Sequence, residues 1–207
     1  QIRYNSPLNV PLKPVNGIVV IQDLERNYGI QDTVILDEIK GWIMALISKI
    51  GIIGANHVGA HVANALLYQG LVTELFISDT NEVLCKAQVN DLLDAMPFYP
   101  HPARVYEVDD RYEELAGCDI IVNAAGHIEA AAGSRDGELF VTTDEAKKFA
   151  KRIADAGFDG VWVNIANPCD VVTTELQYLT GADPNKVIGS GTTLDSARLR
   201  HALSGAT

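Results

Sequence analysis

The sequence predicts an α/β fold, a doubly wound parallel sheet, on two observations. From Lys49 onward, short runs rich in Ile and Val alternate with segments whose apolar residues recur at three and four spacings. Each run also reaches Gly, Asp or Asn within two residues, and these side chains let a chain leave a strand and turn. The runs are Lys49–Ile53, Glu74–Ser78, Ile120–Asn123, Val161–Ile165 and Lys186–Ile188, which predicts five strands. Helices are predicted over Val58–Tyr68, Asn81–Met96, Asp144–Ala156 and Asp170–Leu179, with Thr80–Asn81 and Thr143–Asp144 offering capping side chains at two of the starts.

Residues 1–47 read differently. Pro7, Pro11 and Pro14 break the first stretch, Gly17–Ile21 and Val34–Leu36 are compatible with strands, and Asp37–Ile47 with a short helix. No function is read there. The first residue is Gln, so the sequence reads as a processed chain or a piece of a longer one.

Composition narrows the function class. With 207 residues, 47% hydrophobic and 21% charged, the chain supports one ordinary domain, or a domain with an appendage, around a real core. Its most apolar segment, Trp42–Ile47, is far shorter than the ~20 residues a bilayer requires, and QIRYNSPLNV lacks a leader's basic start and apolar core. A protein without membrane span or secretory signal, located in the cytoplasm, is expected. Cys85, Cys118 and Cys169 have no metal-type spacing and leave an odd count, so no metal site or disulfide framework is expected and all three read as buried small hydrophobes. A net charge of -11 opposes binding to nucleic acid, which needs a basic face. A small-molecule ligand remains.

GIIGANHVG, Gly51 to Gly59, is the segment that chemistry singles out. In a dinucleotide-binding turn the first glycine makes the bend, the second lets backbone approach the pyrophosphate, and the third permits close helix–strand packing, with the phosphates at the helix N-terminus. Gly54 and Gly59 fill the outer roles. Asn56 departs from the pattern, but Asn tolerates left-handed backbone and its amide can donate to a phosphate, so the turn is expected to persist through Ala55, Asn56, His57 and Val58. Asp79 closes the second strand, 25 residues after Gly54. A carboxylate there accepts from the adenosine ribose hydroxyls and repels a 2'-phosphate, which favours NAD over NADP. Strand, turn, helix and acid together predict a Rossmann-type NAD-binding domain.

The segments GIIGANHVG (51–59), FISD (76–79), CDIIVNAAG (118–126), NIANPCDVVT (164–173) and VIGSGTTLDSARLR (187–200) resemble the L-2-hydroxy-acid dehydrogenases, the family of L-lactate, L-2-hydroxyisocaproate and malate dehydrogenases. The resemblance runs from about Ser48 to the end of the chain. It implies an NAD-binding domain over 48–191 followed, at 192–207, by the beginning of a truncated catalytic domain. It also implies that Ala125 and Gly126 contact the cofactor and that Asn167 hydrogen-bonds the reacting oxygen beside the nicotinamide, although a helix cap before Pro168 fits the same residue. Arg198 matches the guanidinium that grips the substrate carboxylate through two parallel bonds. Asp195, three residues earlier, matches the carboxylate that orients the catalytic histidine. By residue type alone the two are an ordinary surface pair. Arg135 matches the loop arginine that polarises the carbonyl, with a glycine one place later than the family pattern. Glu129 falls where the family separates substrates: pointing inward, it repels oxaloacetate and favours a 2-oxo acid with a neutral side chain, while a solvated loop glutamate fits as well.

The family's general acid–base is a histidine in a motif beyond the LDSAR helix, which residues 1–207 do not reach. His57, His61, His101, His127 and His201 offer no convincing substitute. Two readings follow: a lactate-type dehydrogenase acting on a small 2-oxo acid, with malate dehydrogenase as its nearer rival, or a catalytically silent NAD-binding module. The resemblance further implies a homodimer or homotetramer.

Overall fold

The structure, a computed structural model, describes residues 48–126 and 135–205, with backbone alone at 135–138. The expectations for 1–47, His127 and Glu129 lie outside the described residues. Ile47–Thr207 form one compact unit.

In chain order the elements are β1 (Lys49–Ile53), α1 (His57–Tyr68), β2 (Glu74–Ser78), α2 (Glu82–Ala95), β3 (Arg104–Glu107), β4 (Ile120–Asn123), α3 (Arg135–Asp155), β5 (Val161–Asn164), α4 (Cys169–Thr180), β6 (Val187–Gly189) and α5 (Thr193–Ser204). Short 3-10 turns at Met96–Phe98, Tyr112–Gly117 and Pro184–Lys186 link them. The six strands form one sheet in the order β3-β2-β1-β4-β5-β6, every pair parallel. Strand order reverses between β1 and β4, and the crevice there is where open parallel sheets bind ligands.

Alternation along the strands divides the core in two. Ile50 and Ile52 of β1, with Leu75 and Ile77 of β2 and Val122 of β4, face Ala63 and Leu67 of α1 and Cys85, Val89 and Leu92 of α2. Ile53, Ile121 and Trp162 face Phe149, Ala150 and Ile153 of α3 and Val172 and Leu176 of α4. Burying a large apolar side chain is worth about 1.5–3 kcal/mol, so these two layers fix the sheet between its helices.

Three expectations require correction. There are six strands, not five: Arg104–Glu107 pairs with β2 as the sheet edge, Val105 alone being buried while Tyr106 stacks on Phe76 at 4.8 Å. An edge strand with polar ends gives no buried apolar run to read. The third predicted helix begins at Arg135 rather than Asp144. Thr143 caps nothing, because its hydroxyl donates back to the Leu139 and Phe140 carbonyls inside the helix. Cys85 and Cys118 are buried, but Cys169 is half-buried and its sulfur accepts from the Gly191 N–H at 3.2 Å.

Candidate functional site

Residues singled out in the sequence follow the C-terminal ends of successive strands: Gly54 after β1, Asp79 after β2, Ala125 and Gly126 after β4, Asn167 after β5, and Asp195 and Arg198 after β6. One edge of the sheet thus carries them all.

The outer glycines of the turn are required sterically. Gly54 has φ +97°, and a Cβ on it would lie 2.7 Å from the Ala124 carbonyl oxygen. Its N–H donates to the Ser78 carbonyl at 2.8 Å, tying the turn to β2. A Cβ on Gly59 would fall 1.8 Å from the Gly54 carbonyl oxygen, so α1 can approach β1 only without a side chain there.

Asn56 behaves otherwise than its residue type led us to expect. It has φ -74° and ψ -169°, extended rather than left-handed, and it is the N-cap of α1: its side-chain oxygen accepts from the His57 N–H at 2.8 Å. That N–H is one of the donors a helix N-terminus offers an anion. His57 and Val58 are exposed in the first turn.

Asp79 organises the turn from the neighbouring strand. One carboxylate oxygen accepts from the Ala55 N–H at 2.7 Å and the other from the Asn81 N–H at 2.8 Å. Each oxygen retains accepting capacity for a further donor. Asn81 in turn caps α2 by accepting from the Leu84 N–H at 3.1 Å.

A single pocket gathers Gly54, Asn56, Asp79, Ala125 and Gly126. Its wall also includes Thr80, Asn81, Leu84, Tyr112, Glu145 and Phe149, which the sequence reading did not assign to the site. Tyr112 is buried, its ring 5.8 Å from that of Phe149 and capped by the Arg152 guanidinium at 4.9 Å. Burial pushes its phenol above the usual range. No strand or glycine signal marked Tyr112, Glu145 and Phe149, because they meet only when the Tyr112–Gly117 turn packs on α3.

Asn167 does not line this pocket. It is exposed, precedes a cis bond to Pro168, and is carried by a loop anchored on two buried asparagines. Asn123 donates to the Asn164 side-chain oxygen at 2.9 Å. Asn164 donates in turn to the Ala166 and Cys169 carbonyls at 3.2 and 3.0 Å, and to the Thr173 hydroxyl at 3.1 Å. Asn123 also accepts from the Ala125 N–H at 3.1 Å, so one network fixes the chain leaving both β4 and β5. Both asparagines stood in the motifs CDIIVNAAG and NIANPCDVVT, and only their position at a strand end marked them.

Asp195 and Arg198 pair with each other on α5 at 3.0 Å, both about two-thirds exposed. No residue of α5 is buried, and neither member of the pair reaches the pocket. Arg135 is the first residue of α3. Among the described residues no histidine lines the pocket, and no helix is long and apolar enough to cross a membrane.

Comparison with known proteins agrees with this geometry. Residues 48–189 match the lactate/malate dehydrogenase NAD-binding domain. The L-lactate dehydrogenase of Fusobacterium nucleatum is 39% identical over 159 residues, covering 77% of this chain and 49% of that protein. That of Mycoplasma pneumoniae is 36% identical over 157 residues, covering 75% and 50%. Among solved structures, the minor L-lactate dehydrogenase of Enterococcus mundtii in a ligands-bound form superposes with a TM-score of 0.72 at 29% identity, covering 78% of this chain and 52% of that one. The chain thus spans about half the length of the curated relatives it matches. With a 3-2-1-4-5-6 parallel sheet, two sterically required glycines and a carboxylate closing β2, the chain belongs to the lactate/malate dehydrogenase family and contains that family's NAD-binding domain.

Proposed function

We propose that this chain serves an NAD-dependent L-2-hydroxy-acid dehydrogenase of the L-lactate type, in which hydride passes between the nicotinamide and the carbonyl carbon of a small 2-oxo acid. The observation that carries this reading is the convergence of Gly54, Asn56, Asp79, Ala125 and Gly126 on one pocket at the strand-order reversal. NAD supplies the hydride acceptor or donor. In this reading the backbone N–H groups of Asn56 to Val58 take the diphosphate and Asp79, held by the Ala55 N–H, takes the ribose hydroxyls.

Asn167 then donates its side-chain amide to the substrate's reacting oxygen, and Arg198 grips the substrate carboxylate through its planar fork. The Asp195–Arg198 pair must open for this, leaving Asp195 to orient the family's acid–base histidine. Arg135 polarises the carbonyl, and Glu129 disfavours a dicarboxylate, which sets lactate-type above malate-type chemistry. A cytoplasmic homodimer or homotetramer belongs to the same reading, and sedimentation of the purified chain tests the assembly.

A second reading, an NAD-binding module without turnover, is favoured by the Asn56 cap on the His57 N–H. Oxamate, a non-reducible isostere of a 2-oxo acid, separates the two. The dehydrogenase reading expects oxamate to bind the chain only after NADH and Arg198→Ala to abolish that binding. NADH binding without any oxamate response would support the module.

A further inference from the structure

We propose that Arg152 is a positioning residue for cofactor binding: its guanidinium clamps Glu113 and covers the Tyr112 ring, and so holds that ring in place as a wall of the pocket. The inference rests on the pocket being the NAD site. Tyr112 lines it together with Asp79, whereas Arg152 and Glu113 do not, so the clamp acts on the nucleotide through Tyr112.

Tyr112 opens the six-residue turn Tyr112–Gly117, and no side chain caps that start. A short 3-10 turn is held poorly by its own hydrogen bonds, so packing must fix where its first residue stands. Further along the turn Leu115 is buried in the core. At its start α3 supplies the contacts. Phe149 and Arg152, three residues apart and hence on one helix face, both meet the Tyr112 ring, Phe149 with ring centres 5.8 Å apart and Arg152 with its Cζ 4.9 Å from the ring centre.

The same guanidinium is fixed by the residue that follows Tyr112. Its Nε and one terminal nitrogen donate to the two carboxylate oxygens of Glu113, at 2.7 and 2.8 Å. That fork holds the Glu113 carboxyl below its usual range. Most half-exposed ion pairs contribute little, and two-bonded arginine–carboxylate pairs are the exceptions. A lysine would match the charge without holding a carboxylate and covering a ring in one geometry. Tyr112 is 4% exposed, whereas the Arg152 and Glu113 side chains are 44% and 51% exposed. The clamp can therefore be removed without opening the core.

Titration of the 207-residue chain with NADH tests the proposal. Arg152→Ala and Glu113→Ala should each weaken NADH binding by about threefold to tenfold, while the urea midpoint stays close to that of the wild type. Tyr112→Leu should weaken binding by itself, and adding Arg152→Ala to it should change the affinity by less than about twofold, because the clamp then has no ring to hold. A merely structural pair would move the midpoint and show no such dependence on Tyr112. An NADH affinity unchanged in either single exposed variant, or an Arg152→Ala effect of the same size with and without Tyr112, would overturn the role of Arg152 while leaving the NAD site standing. Should Tyr112→Leu fail to fold, the two exposed variants decide alone. Failure of the wild-type chain to bind NADH would overturn the site and this proposal together.

Discussion

At Asn56 two demands compete for one backbone donor. The side-chain oxygen accepts the His57 N–H at 2.8 Å, and a phosphate oxygen arriving at the same helix end needs that group. Replacing Asn56 by Gly removes the competitor at a cost of a few tenths of a kcal/mol in capping. We expect Asn56→Gly to bind NADH severalfold more tightly with a nearly unchanged melting temperature; weaker binding would show that the carboxamide itself donates to the diphosphate. Gly59 offers no such freedom. A methyl group there meets the Gly54 carbonyl oxygen at 1.8 Å, so Gly59→Ala must push α1 off β1. The expected destabilisation is about 1–3 kcal/mol, read as a lower urea midpoint, with loss of NADH binding. The outer glycines were readable in the sequence because sterics leave them no substitute. Asn56 was misread because its tolerance of left-handed backbone was weighed above its equally general preference for N-caps.

Among the elements, the loops after β4 and β5 show how a site is held by residues that do not touch its ligands. Asn164 joins β4, β5 and α4 through bonds to Asn123, Ala166, Cys169 and Thr173. Removing it strands several buried polar groups, so Asn164→Ala should cost about 3 kcal/mol or more in chemical denaturation. Exposed Asn167 should behave oppositely. Asn167→Ala should stay within about 0.5 kcal/mol of the wild type yet lose oxamate binding to the NADH-loaded chain. Elements with a buried apolar run were readable: β1, β2, β4 and β5 lie within one residue of expectation. The edge strand β3 and the first two turns of α3 were not. Val105 alone is buried in β3, and among the described side chains of Leu139–Thr143 only Thr142 is buried while Phe140 is exposed. Periodicity cannot mark an element that buries so little.

Across the whole molecule, both core layers hold a thiol whose ionisation folding opposes. Burial pushes the Cys85 thiol up to about 11 and the Cys118 thiol to about 12, from an ordinary 9.0. The folded chain therefore holds these protons more tightly than the unfolded one. Their contribution is intact below pH 9 and is lost as pH rises through the interval up to about 11–12. The urea midpoint should fall steadily above pH 9, and a Cys118→Ala variant should show a shallower fall; a flat profile would contradict burial of the thiols. The doubly wound parallel sheet and the glycine turn after its first strand were legible in the sequence, since apolar runs alternating with helical patterns permit few arrangements. The rest of the pocket wall did not follow, because Tyr112, Glu145 and Phe149 belong to elements brought together only by packing. The exposed Leu194, Leu199 and Leu203 on α5 likewise carry no signal apart from the family motif around them.

Cofactor binding by the pocket at the strand-order reversal is tested most directly by titrating the purified 207-residue chain with NADH while exciting Trp162, the buried indole of β5, and following energy transfer to the reduced nicotinamide. The prediction is saturable transfer with a dissociation constant on the order of micromolar, at least tenfold weaker in Asp79→Ala. Transfer that never saturates, or that is indifferent to Asp79→Ala, would contradict the assignment of this pocket as the NAD site.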